Sequence, residues 1–403
     1  MKISYPLALN IRDQYKELGK KFNNLNEFTW KELAQITKLE VTNADSLDDL
    51  IKLPSLKKLV IKSENYNHFD SNIDLKNNTL INRIQDFSVI EKLTNLEELE
   101  IINDINIKKL DLTKLTKLKK LRLINNPRLI AVKNLEKLRN LEEVVIYGTN
   151  IKNYINFKEY ILNTIYAKKN ILDINMYHTL MDGSEKNSKF FSDLYKLKYN
   201  KVLYAEKTGF AEFALLTPEQ VNELYQMCYK FIKNKKLYRL DSYEQIKEIY
   251  KFVTTNITFD NEGILKRDLQ YLSMNLPYRK IPLHLKNKFS MIHSSYNAGI
   301  LKKSNCEGYV NLMNFMLRML NIETASVYAA GKKSKLVAAY NHALTSVKLD
   351  GNWYYCDPSL EKPGEFKYFM KTFDEISKTH ILNPLELLKY KEVSINVARR
   401  GRN

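Results

Sequence analysis

Apolar positions recur in a fixed form through the first half of the chain. The segments LPSLKKLVI from Leu53, LTNLEELEI from Leu93, LTKLKKLRL from Leu115 and LRNLEEVVI from Leu138 share the form L-x-x-L-x-x-L/V-x-I/L. A weaker copy, ITKLEVTNA, runs from Ile36. The third leucine-type position falls at Leu39, Leu59, Leu99, Leu121 and Val144, at spacings of 20, 40, 22 and 23 residues. Periods of about 20–29 residues mark leucine-rich repeats. The long gap is either two periods or one period with an insertion, and the Asn- and Asp-rich stretch from Ser63 to Asn82 is the candidate insertion. Within a copy, Leu99 and Ile101 alternate and so face inward from a short strand, leaving Glu98, Glu100 and Ile102 outside. The outward positions Lys58, Glu98, Glu100, Lys120, Arg122, Glu143 and Val145 would then line the concave face of a solenoid over residues 30–155. Each repeat would cover its neighbour's apolar face. Such faces commonly bind proteins. An ordinary α/β domain with leucine-rich helices is the competing reading.

Farther along, the period changes. Phe157 to Ile171 is apolar at helical spacing, and Asp182, Gly183 and Ser184 mark a break, so residues 156–235 read as a helical connecting region. Thr217 is an N-cap, with Pro218 at the first helical position and Gln220 at the third. A second helix begins at Asp241 or Ser242, with the stripe Ile246, Ile249, Tyr250 and Val253, and gives way to TTNITFD ending at Asp260.

A third helix carries candidate chemistry. Ser304 to Glu307 has the S-x-x-E form of a capping box, with Ser304 as N-cap and Glu307 as the third helical residue. Leu312, Met313, Phe315, Met316, Leu317, Met319 and Leu320 make the helix apolar nearly all round, which predicts burial. Cys306 then lies in the first turn. The partial positive charge and unpaired N–H groups there favour thiolate and can bind an oxyanion. Downstream, Asp350-Gly351 between two alternating runs predicts a two-residue hairpin. That register sets Leu349 opposite Asn352, Val347 opposite Tyr354 and Leu344 opposite Asp357, and brings His342 and Asp357 to one face as diagonal neighbours. A three-residue loop would separate them. Carboxylate beside imidazole, and imidazole beside thiol, is the arrangement of a cysteine-nucleophile triad.

Composition narrows the picture. The chain has 403 residues, 44% hydrophobic and 27% charged, which are globular proportions. Three cysteines, Cys228, Cys306 and Cys356, are too few for a disulfide framework; Cys228 and Cys356 read as core packing. The net charge of +18 is spread along the chain and mixed with acids, apart from Arg399, Arg400 and Arg402 at the extreme C-terminus, so nucleic acid is not the expected partner. The opening MKISYPLALNIRDQYKELGKKF lacks an apolar core and cleavage site, and no stretch reaches membrane-span length. The expected location is the cytoplasm, with export by a signal-independent route as the alternative. There is no glycine-rich phosphate loop and no Cys/His pair at zinc spacing, so no cofactor and no metal is expected. His284 and His293 lie outside these motifs, and His68, His178 and His380 show no partner pattern.

Three blocks together resemble the transglutaminase-like superfamily of cysteine enzymes: IKEIYKFVTTNITFD, then SSYNAGILKKSNCEGYVNLMNFMLRMLNIETASVYAAG, then NHALTSVKLDGNWYYCDPS. The resemblance covers about residues 240–375. It implies an α+β fold: a papain-like catalytic domain over residues 236–385 behind the repeat solenoid and the connecting region. It implies Cys306 as nucleophile, His342 as general base and acid, and Asp357, fifteen residues later, as the orienting carboxylate. Many bacterial members carry Gly two residues before the Cys and Trp two residues after the His, where this chain has Ser304 and Leu344. Tyr296 and Asn297, upstream of the Cys, are the candidates for completing the oxyanion hole. The implied activity is acyl transfer from a protein or peptide amide, as peptidase, deamidase or transglutaminase, with the repeats recruiting a protein partner. The alternative is a catalytically silent interaction scaffold.

Overall fold

A computed structural model describes residues 1–16, 26–63, 82–149, 151, 169–173, 202–207, 213–275, 281–331 and 342–382. The chain divides into two compact units, residues 1–66 with 72–176, and 67–71 with 177–403.

The first unit opens with α1 (Tyr5–Gln14) and α2 (Trp30–Leu33) and continues into β1 (Lys38–Val41), β2 (Lys58–Lys62), β3 (Glu98–Ile102), β4 (Lys109–Asp111), β5 (Lys120–Ile124), β6 (Ala131–Lys133), β7 (Glu143–Tyr147) and β8 (Lys169–Asp173). The strands β1, β2, β3, β5, β7 and β8 pair in parallel in that order, and Leu39, Leu59, Leu99, Leu121 and Val144 stand side by side across the ladder. All five are buried, as are Val41, Ile61, Ile101, Leu123 and Ile146 two residues on. The result is a parallel-strand solenoid. Because β2 pairs directly with β3 in the register Leu59 to Leu99, the 40-residue spacing is a single turn with an insertion, whose residues 64–81 lie outside the described part.

Opposite charges alternate across the outer face. Lys58 and Lys120 flank Glu98 at 2.9 and 2.7 Å, Arg122 meets Glu100 at 3.2 Å, and Lys169 meets Glu143 at 3.4 Å. Val145 stands opposite Arg122 on this face but is buried. The predicted helix from Phe157 ends differently. Its last three residues, Lys169 to Ile171, begin β8, because Lys169 to Leu172 pair with the ladder offered by β7, where Asn170, Ile171 and Leu172 are buried. Residues 157–168, like Asp182, Gly183, Ser184, His68, His178, Arg399, Arg400 and Arg402, lie outside the described part.

In the second unit, β9 (Val202–Lys207) and β10 (Phe213–Leu216) form an antiparallel pair, so the stretch expected to be helical up to residue 235 carries strands before its helix. Then come α3 (Pro218–Asn234), α4 (Ser242–Asn256), β11 (Thr258–Phe259), α5 (Asn261–Ser273), α6 (Leu283–Ser290), β12 (Lys303–Ser304), α7 (Cys306–Met319), β13 (Thr324–Gly331), β14 (His342–Leu349), β15 (Asn352–Cys356), α8 (Phe373–Ile376) and β16 (His380–Leu382). The helix starts follow their capping chemistry. Thr217 and Gln220 form the expected box on α3, and the Asp241 side chain accepts from Glu244 N to open α4. The sheet runs β15-β14-β13-β16, all antiparallel. Buried α7 packs between α4 and the β13–β14 face. Its apolar residues are what hold the candidate site together.

Candidate active site

The start of α7 differs by one residue from the predicted capping box. Asn305 is the N-cap, its side chain accepting from Gly308 N, so Cys306 is the first helical residue. Ser304 is instead part of β12, and its hydroxyl donates to Ile292 O at 2.6 Å. The physical reason is the pairing of β11 with β12, in which Phe259 lies opposite Ser304 and holds it extended. Glu307 is drawn to His293 rather than back to a cap. Gly308 permits this close approach. A Cβ there would lie 1.7 Å from Ser304 Oγ and 3.0 Å from the Ser294 carbonyl oxygen. The turn beneath, Met291–His293, is tied on again by Asn311 Nδ2, which donates to His293 O at 2.9 Å.

The hairpin has the two-residue turn. Leu349 lies opposite Asn352 and Val347 opposite Tyr354, with positive φ at Asp350 (50°) and Gly351 (82°), as a type I′ turn requires. His342 thereby opens β14 and reaches Asp357, just past the end of β15, with Nε2 2.7 Å from Oδ2. The Cys306 thiol lies beside the same imidazole and helps to raise it. With Nε2 occupied by Asp357, Nδ1 is the nitrogen left for the thiol. Cys306 packs with Val310, Tyr328, Ala330 and Ala343. It is 7% exposed, whereas Cys228 and Cys356 are at 0%. The difference decides which sulfur a reagent can reach.

Asp357 is fully buried and saturated with donors. Oδ1 accepts from Ser359 N, Ser359 Oγ and Leu360 N at 2.9–3.2 Å. Oδ2 accepts from His342 and also from His380 Nε2 at 3.2 Å. The main chain is pinned as well: Asp357 N donates to Tyr368 O at 3.0 Å. Burial alone would favour the neutral acid, but the charge and hydrogen bond of His342, then those of His380, drive the carboxyl well below its ordinary range. Burial likewise opposes protonation of His342. The Asp357 charge, its hydrogen bond and the contact with the thiol outweigh it and raise the imidazole well above its usual value. Burial pushes Cys356 up to about 12 and Cys228 higher still, which leaves both inert near neutral pH.

His380 was not signalled by the sequence. It lies on a three-residue strand paired with β13, stacks on His342 with centroids 5.6 Å apart, and contacts Thr379 Oγ1 through Nδ1. The one legible cue was local, the Thr372–Glu375 capping box that sets α8 just before it. His342, Asp357 and His380 form the one group among the described residues whose donor atoms lie close enough to hold a metal ion, within 4.8 Å of one another. Both imidazoles aim at a single oxygen, 2.7 and 3.2 Å away. Metal–nitrogen bonds of about 2.0–2.1 Å would need that oxygen to withdraw, and the bonds on Oδ1 resist this. The arrangement is that of hydrogen bonding.

Of the two oxyanion candidates, Tyr296 donates its only hydroxyl proton to Glu223 on α3 at 2.7 Å and is not available in this arrangement. Asn297 opens the helical turn Asn297–Leu301, its backbone N–H donating to Ser294 Oγ.

Residues 233–358 match the family model of the transglutaminase-like superfamily. Among solved structures, a TGase is similar at 17% identity over 44% of this chain and 40% of that one, with a TM-score of 0.27. The chain therefore spans less than half the length of that protein. Internalin C2 from Listeria monocytogenes str. 4b F2365 is similar at 16% identity over 43% of this chain and 90% of that one, with a TM-score of 0.22. No curated protein matches.

Proposed function

With residues 233–358 forming a transglutaminase-like domain, we propose that this protein is a thiol acyl-transfer enzyme acting on a carboxamide or peptide bond through Cys306, His342 and Asp357. The observation that carries the reading is the 2.7 Å hydrogen bond from His342 Nε2 to a buried, fully bonded Asp357, with the thiol at the start of α7 beside the same imidazole.

In this reading His342 takes the thiol proton on Nδ1 as Sγ attacks the carbonyl carbon. The backbone N–H of Cys306, one of the unpaired donors of the first helical turn, receives the developing oxyanion. When the C–N bond breaks, His342 returns the proton to the leaving ammonia or amine, and the acyl group remains on Sγ. Water or an amine, deprotonated in turn by His342, then releases it. Asp357 stays ionised, keeps Nε2–H directed at itself and stabilises the imidazolium. The outer face of the repeats is assigned to recruitment of a protein substrate or partner. Its alternating Lys–Glu rows favour a surface of mixed charge over a phosphate backbone.

The experiment is a product assay on glutamine-containing peptides with and without an added primary amine, following ammonia release, amine incorporation and chain cleavage. At least one should appear with the parent protein and vanish in Cys306→Ala. Activity persisting in Cys306→Ala, or no product from any substrate alongside tight partner capture, would contradict the reading.

A further inference from the structure

A second cluster of buried ionisable groups adjoins the candidate nucleophile and takes no part in the chemistry above. Glu307 follows Cys306 in the chain and is 4% exposed. Its Oε2 pairs with Nδ1 of His293, which is fully buried. Nε2 of His293 lies 2.7 Å from Nη1 of Arg267 on α5. Arginine carries donors only, so Nε2 accepts, and the imidazole proton sits on Nδ1 facing Glu307. The Asn305 amide nitrogen lies 2.7 Å from that same Nδ1; both carry N–H groups in this tautomer, so Glu307 and not Asn305 accepts the imidazole proton. The residue after Cys306 is therefore held by this histidine. The cluster reaches the surface at Arg267, whose side chain is 15% exposed and whose Nη2 lies 2.7 Å from Asp268 Oδ1.

The charges have a consequence for the thiol. A carboxylate one residue from a cysteine opposes thiolate formation, since like charges disfavour each other's ionised form. The helix N-terminus offsets part of this. A buried carboxylate also needs a partner of its own. Arg267 supplies the opposite charge, passed to Glu307 by an imidazole whose lone pair faces the guanidinium and whose proton faces the acid.

We propose, on the premise that Cys306 is the nucleophile, that Arg267 and His293 are positioning residues that neutralise Glu307 and so keep the Cys306 thiol reactive. Neither touches the reacting atoms. They act through Glu307, the residue that follows the cysteine.

The test is the rate of Cys306 alkylation by iodoacetamide at pH 6 in the full-length protein, with the adduct mapped by peptide mass spectrometry. Arg267 is near the surface, so its substitution leaves the buried pair in place. Arg267→Gln should lower the rate about tenfold, the effect of a one-unit change in thiol acidity. Arg267→Lys, which keeps the cation, should stay within about twofold of the parent. Glu307→Gln should also stay within about twofold, and Arg267→Gln combined with Glu307→Gln should recover the parent rate, because no charge is left to neutralise. An unchanged rate in Arg267→Gln would overturn the proposal. So would a loss that persists in the double variant, or an equal loss in Arg267→Lys, since either marks a packing role alone. Labelling of Cys228 or Cys356 in preference to Cys306 in the parent would remove the premise, and the proposal with it.

Discussion

Replacing Asp357 by Asn separates the charge of the site from its shape. The side chains are nearly isosteric, and the oxygen facing Ser359 and Leu360 can keep its three donors. What disappears is the anion 2.7 Å from His342 Nε2. Two unit charges at that distance and an effective dielectric constant of about 20 attract by about 6 kcal/mol. The imidazolium charge is spread over its ring, and a neutral amide still makes some interaction, so about half, roughly 3 kcal/mol, is lost. That corresponds to a fall of about a hundredfold in any rate that depends on the thiolate–imidazolium pair. The amide NH₂ would also face two imidazole N–H donors, which forces His342 toward its other tautomer. The assay is the pseudo-first-order alkylation of Cys306 from pH 5 to 9, read by mass spectrometry, with the thermal midpoint as a check on folding. A folded Asp357→Asn protein that alkylates within twofold of the parent across that range would refute the argument that Asp357 activates the thiol through His342.

Asp104, in the turn after β3, is buried, and burial raises its carboxyl from 3.8 to about 6 against the lowering effect of N–H donors from Ile107 and Asn106. The folded state thus holds a proton the unfolded state has released. This contribution is fully present below about pH 4, fades as pH rises through about 6, and leaves a cost of up to about 3 kcal/mol above that. Asp104→Asn should therefore raise the thermal midpoint at pH 7.5 and flatten its dependence between pH 4 and 7; a lower midpoint at pH 7.5 would count against this. Gly308→Ala should cost at least about 2 kcal/mol in chemical denaturation and slow Cys306 alkylation, because its Cβ would lie 1.7 Å from Ser304 Oγ; near-parent stability would show that β12 yields easily. Gly351→Val, at φ 82° in the hairpin turn, should lower stability by about 1–2 kcal/mol and weaken the His342–Asp357 contact, seen as slower alkylation of Cys306.

The parts legible in the sequence were those that local chemistry fixes. The repeat register could be read because strand alternation must put Leu99, Leu121 and Val144 on one buried face. The Thr217 cap and the Asp350-Gly351 turn were legible because few residue types serve there. The misreadings have tertiary causes. Ser304 looked like the cap of α7, but pairing with β11 holds it extended and moves the cap to Asn305. Residues 169–171 had helical spacing, yet the edge of β7 recruits them into a strand. Val145 was expected among the exposed outer positions and is buried. His380 and His293 had no motif at all. They reach Asp357 and Glu307 across 23 and 14 residues of chain, through a strand pairing and a helix–turn contact that no local pattern encodes.

The central claim, that Cys306 is a nucleophile activated by His342, is tested most directly by limited iodoacetamide labelling of the native protein near pH 7, with adducts mapped to all three cysteines in the parent and in His342→Ala. Cys306 should carry the adduct while Cys228 and Cys356, both fully buried, stay unmodified, and His342→Ala should slow the labelling at least about tenfold. Labelling of Cys228 with none at Cys306, or Cys306 labelling at the same rate without His342, would contradict the account.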